Sequence, residues 1–152
     1  MIGRYARGGP ARHEKSEIPK SETEMSAFTE LMGLHVTVDR VVHMPQLEAP
    51  SDRPHPFVYF ITIHNDSART VTIKGRKWVV TDAEGQRIVV EGDGVVGEFP
   101  RLEPGEHFTY NSYHTIGSDS VAEGSYFGVT VDGELVFTRI PHFEMRAPVR
   151  SV

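Results

Sequence analysis

The chain has 152 residues, 38% of them hydrophobic, a formal net charge of −5 and no cysteine. That length buries the core of one domain without covalent staples, and the missing thiols exclude disulfides, thiolate metal sites and cysteine nucleophiles. No apolar run approaches the ~20 residues of a membrane-spanning helix and the first residues lack the apolar stretch of a secretory signal, so no membrane insertion and a cytoplasmic location are expected. Residues 1–30 carry five basic and five acidic side chains, so the negative charge belongs to the remainder. An acidic body offers no basic stripe to displace counterions from phosphates, which argues against nucleic-acid partners.

Residues 1–20 are polar and read as a flexible arm that packs little. Ser21-Glu22-Thr23-Glu24 has the form of a capping box, and Met25, Phe28, Leu31 and Met32 recur at helical spacing, predicting a short helix over 22–32. This arm, residues 1–33, precedes a β domain over 34–148 and a tail over 149–152.

From residue 34 the pattern is strand after strand. Leu34, Val36 and Val38 alternate with polar residues, and a proline-rich loop over 46–56 follows. Phe57 to His64 is apolar enough for a central strand. Val71 and Ile73 open another, Gly75 permits a bulge or bend, and Trp78-Val79-Val80 carries it to a turn at Asp82-Ala83-Glu84-Gly85. Ile88 to Val90 leads into a glycine run. Strands are predicted over 107–113, 125–131 and 134–140, the last two joined at Asp132-Gly133. About seven short strands with no crossover helix predict an all-β, antiparallel two-sheet sandwich of immunoglobulin-like or fibronectin-like architecture.

The run Glu91-Gly92-Asp93-Gly94-Val95-Val96-Gly97-Glu98-Phe99-Pro100 contains G-x-G-x-x-G. A dinucleotide site needs a strand before it and a helix opening at its last glycine, whose N–H groups meet the phosphates. The strand is there, but Pro100 and Pro104 preclude the helix, and no Lys-Ser or Lys-Thr pair completes a Walker loop. The plainer reading is an inter-strand loop needing positive φ or close backbone approach. An anion-binding nest formed by backbone N–H groups stays open, with Arg76 and Arg101 the nearest candidates in sequence to offset the acids.

Several segments occur in order with this run: Arg76-Lys77-Trp78, Thr81-Asp82-Ala83-Glu84-Gly85, Leu102-Glu103-Pro104-Gly105, Tyr110-Asn111-Ser112, Gly124-Ser125-Tyr126 and Ile140-Pro141-His142-Phe143. Together they resemble the ApaG family over roughly residues 34–148. The resemblance implies a fibronectin type III-like sandwich, found as a small bacterial protein and as a C-terminal domain of some eukaryotic F-box and polymerase-interacting proteins, where it serves protein interaction. It also brings an association of the bacterial members with cobalt and magnesium efflux, and a glycine motif discussed as a pyrophosphate site. Gly92, Gly94 and Gly97 occupy the family's glycine positions. The stretch 113–122 departs from the family pattern, lacking the methionine usual before Gly-x-Tyr.

Other constellations are weaker. The histidines, among them His35, His43, His55, His64, His107, His114 and His142, show no mononuclear-site spacing, so no metal is assigned; a hydrated Mg²⁺ would turn to Glu91, Asp93 and Glu98. Ser112 and His114 lack a nucleophile elbow, so no catalytic pair is assigned. Arg76 and Trp78 share one strand face, which predicts Trp78 in the core and Arg76 at its rim, pairing with Glu98 or an anion. Pro141 marks the last strand as an edge, where a homodimer or client peptide could add a strand. The leading expectation is a non-enzymatic binding module without cofactor. Its ligand is a protein partner, or a phosphate-containing anion held by Gly92, Gly94, Gly97 and Arg76. The alternatives are a nucleotide- or pyrophosphate-binding protein or enzyme using the same loop, and a soluble factor of cobalt and magnesium homeostasis.

Overall fold

The structure, a computed structural model, describes residues 18–149. A four-residue helix α1 (Glu22–Met25) and a two-residue strand β1 (Thr29–Glu30) lead into β2 (Leu34–His43) and β3 (His55–Asn65). They are followed by β4 (Val71–Asp82), β5 (Arg87–Asp93), β6 (Arg101–Leu102), β7 (His107–Ile116), β8 (Ser120–Thr130) and β9 (Leu135–Met145). Seven of the strands are long, as the spacing of turn residues predicts. One sheet runs β1-β9-β8-β4-β5, with β6 also on β4, and the other runs β2-β3-β7. Every pairing is antiparallel except β1 on β9. The architecture is a two-sheet β-sandwich.

The inner faces meet in one core that includes Leu34, Ile61, Ile73, Trp78, Tyr126 and Ile140. Alternation alone would not put all of them there. Between Ile73 and Gly75 the β4–β8 register shifts by one, leaving Lys74 as the extra residue of a bulge. Because side chains alternate with period two, that residue moves the even-numbered positions onto the inner face, so Arg76, Trp78 and Val80 turn inward after Ile73. A second bulge sets Pro141 and His142 against Glu123 on β9, a position where a proline costs no ladder bond. Beyond Phe137 the far side of β9 carries no strand partner among the described residues, in keeping with an edge.

A smaller cluster of Ile18, Phe127 and Phe137, with Met25 and Phe28, lies on the outer face of the larger sheet. Residues 1–17 of the arm lie outside the described residues. Ile18, inside the arm by sequence, is only 2% exposed, so packing starts well before residue 34. The helix is capped by the Ser21 side chain as the capping box predicts, but it ends at Met25 and not at residue 32. The physical reason is tertiary. Phe28 turns edge-on to Phe127, 5.4 Å between centroids, and Thr29–Glu30 pairs with β9 at Val136 and Phe137.

Candidate functional site beneath the glycine loop

Each glycine of the G-x-G-x-x-G run has a geometric reason. Gly92 stands opposite Arg76 on β4, and a Cβ there would lie 2.9 Å from the Arg76 Nη1. Gly94 has φ +64°, and its Cβ would lie 2.5 Å from the Glu98 carbonyl oxygen. Gly97 follows Val96, both with positive φ, and Val95 and Glu98 exchange backbone hydrogen bonds of 2.8 and 2.9 Å across them. That is the pattern of a two-residue hairpin turn of type I′. The Gly94 N–H donates to the Lys74 carbonyl at 2.8 Å, so the β4 bulge itself anchors the loop. The N–H groups of Gly94, Val95 and Glu98 are therefore engaged within the chain.

Arg76 does not sit at the rim. It is 8% exposed, and its Nη1 donates to the carbonyls of Asp93 at 3.0 Å and Gly94 at 3.1 Å, bracing the loop from beneath. Glu98 is not its partner. Among the described residues no carboxylate forms an ion pair with it. A buried cation without a counter-ion is costly, because the low-dielectric interior strengthens every uncompensated charge.

The guanidinium lines a cavity of about 310 Å³ between the two sheets, with Tyr59, Trp78, Ser112 and His114 in its wall. The loop after β2 and the β5 side chains Ile88 and Val90 border it. Strand alternation brings these groups together: Ser112 and His114 are two apart on β7, and Tyr59 pairs with Ser112 across β3 and β7. Two wall atoms, His114 Nε2 and Trp78 Nε1, are buried without a hydrogen-bond partner among the described residues. Burial pushes the His114 imidazole down to about 3, so it is neutral at physiological pH. Burial pushes the Tyr59 phenol up to about 12, against smaller opposing effects from a Ser112 hydrogen bond and the Arg76 charge, so it stays protonated. Deeper in, the hydroxyls of Tyr110 and Tyr126 share a hydrogen bond. The wall thus offers two guanidiniums, Arg76 and Arg53, against one carboxylate, Glu48, together with several neutral polar groups, a set with a net positive charge suited to a small anion.

The sequence marked Arg76 and the glycines. Tyr59 was legible only as part of a central strand and Trp78 only as core. By sequence Ser112 and His114 are no catalytic pair, and in the structure Ser112 stands across from Tyr59 while His114 Nε2 has no hydrogen-bond partner among the described residues.

Comparison with known proteins decides the lineage. Residues 45–130 match the family model described as the ApaG domain, more than half of the chain. The chain belongs to the ApaG family. Protein ApaG of Rhodospirillum centenum is 40% identical over 117 residues, 76% of this chain and 89% of that protein. Protein ApaG of Vibrio cholerae is 41% identical over 93 residues, 60% of this chain and 74% of the relative. A Bordetella pertussis protein solved under the name ApaA superposes with a TM-score of 0.66 at 28% identity, covering 80% of this chain and 98% of its own. Arg76, the glycine run and the cavity wall from Tyr59 to His114 all fall inside the matched ApaG domain.

Proposed function

We propose that this ApaG domain is a non-enzymatic binding module that takes a small, phosphate-containing anion in the cavity between the sheets. Arg76 supplies the charge and the glycine loop holds Arg76 in place. The observation that carries this reading is the buried Arg76 guanidinium, which forms no ion pair among the described residues, in a wall that also holds Arg53 and the His114 and Trp78 nitrogens left without a hydrogen-bond partner there. The glycines act here by shape, letting the loop close over Arg76, and not as a pyrophosphate nest.

Titration calorimetry of the protein with orthophosphate, pyrophosphate and ATP tests it. One of the three binds saturably at 1:1. Ser112→Ala and His114→Asn, which leave the loop untouched, weaken binding several-fold, and Arg76→Met weakens it at least about 10-fold, the scale of a lost charge-assisted hydrogen bond. Lys77→Met, on the opposite face of β4, leaves it unchanged. Silence across the panel removes the reading, and ATP turnover would replace it with an enzymatic one.

A second reading, strand addition by a protein or a second copy, is favoured by β5. It ends the larger sheet, pairs only with β4 among the described residues, and exposes Ile88 and Val89. If β5 joins two copies, sedimentation shows a dimer that Val89→Pro dissociates; a monomeric wild type removes the self-association form.

A further inference from the structure

We propose a second, independent site on the outer face of the smaller sheet, where His35, His64 and Asp66 bind one divalent transition-metal ion of the zinc class. The register places His35 of β2 opposite His64 of β3, and His64 opposite His107 of β7, giving a row of three histidines across the whole sheet. The rings of His35 and His64 stack at 4.6 Å with planes 7° apart, and those of His64 and His107 lie 6.1 Å apart. Asp66, just past the end of β3, reaches back so that its Oδ2 lies 2.7 Å from His35 Nε2. The ligand atoms of His35, His64 and Asp66 all fall within 4.8 Å of one another.

Tetrahedral zinc, with bonds of about 2.0–2.1 Å, holds its ligand atoms about 3.3 Å apart. The 2.7 Å hydrogen bond would open slightly and the longer separations would close by about an ångström or more, adjustments within reach of the rotamers of exposed His35 and Asp66 about the half-buried His64. Two imidazoles and one carboxylate suit zinc-class ions and not Mg²⁺, which demands oxygen ligands. His107 stands next in the row as a further imidazole, and Thr37, whose Oγ1 lies 2.9 Å from His64 Nε2, orients that ring.

None of these residues lines the Arg76 cavity, so the two proposals stand or fall separately. Zn²⁺ is titrated into the full chain at pH 7.5, with calorimetry and histidine side-chain NMR as readouts. The expected result is one ion per chain, with shifts at His35 and His64. His64→Ala weakens binding at least about 10-fold, Asp66→Asn weakens it less, and His142→Ala, an exposed histidine elsewhere, leaves it unchanged. Metal binding displaces ligand protons, so acid weakens binding, while excess Mg²⁺ does not compete. His35→Ala repeats the test should His64→Ala lose its fold. The proposal is overturned if Zn²⁺ fails to saturate below millimolar concentration, or if His142→Ala weakens binding as much as His64→Ala.

Discussion

At the residue scale the most consequential group is His114, because its burial couples the cavity wall to pH. Its folded value of about 3 lies below the 6.5 of an unfolded chain, so the unfolded state binds a proton that the native state refuses. The stability that the neutral ring contributes is complete above pH 6.5 and is lost progressively as pH falls toward 3. Between pH 6.5 and 5 the loss amounts to about 2 kcal/mol, at ~1.4 kcal/mol per pH unit. Urea denaturation at pH 7 and pH 5 measures it, and His114→Phe flattens the difference. An unchanged slope in that variant assigns the pH dependence elsewhere. Nothing in the sequence announces this, since the depressed value comes from neighbours on β3, β4 and β9 that pack round the ring, among them Tyr59, Trp78 and Phe143. Asn65 shows the same gap between sequence and structure. Asparagine is a residue type favoured in turns, yet Asn65 is fully buried and donates to the carbonyls of Arg69 and Leu102, tying the β3–β4 turn to β6.

At the scale of elements, β4 and the loop it supports form one device. Gly75 permits a bulge or a bend by sequence, and the register shift between Ile73 and Gly75 makes it a bulge. What the bulge achieves was not legible. It turns Arg76 inward, offers the Lys74 carbonyl to Gly94, and sets the Lys74 ammonium over the Phe99 ring at 5.7 Å. The shared face of Arg76 and Trp78 followed from alternation alone. The burial of Arg76 did not, because the cover comes from a loop folding back from the end of β5. The glycines of that loop differ in what they tolerate. At Gly97 a Cβ meets open space, so Gly97→Ala costs only the left-handed backbone, about 1 kcal/mol. At Gly94 the Cβ also meets the Glu98 carbonyl, whose oxygen already accepts from Val95, so the clash cannot relax without breaking the turn. Gly94→Ala is expected to cost at least about 1 kcal/mol more than Gly97→Ala in urea midpoints. Equal costs would mean that the loop is looser than this geometry.

At the scale of the whole molecule, the outer face of the larger sheet is covered by the segment leading into β1, and Ile18 is the contact that fastens it. The side chain sits against Phe127 and Phe137, over the bulge at Gly75, where a Cβ would lie 2.6 Å from the Ile18 Cγ1. Gly75 is in this sense a socket as well as a bulge. Ile18→Ala removes buried methyl groups and leaves a gap, a change worth about 2 kcal/mol or more. In a domain of this size that lowers the melting temperature by roughly 4–8 °C. Gly75→Ala in the native background forces Ile18 out of its seat. In the Ile18→Ala background the same methyl enters vacated space, so its cost shrinks. The double-mutant cycle should therefore show the two substitutions costing less together than the sum of each alone, by about 1 kcal/mol. Strict additivity would separate Ile18 from the socket and leave the segment merely resting on the sheet.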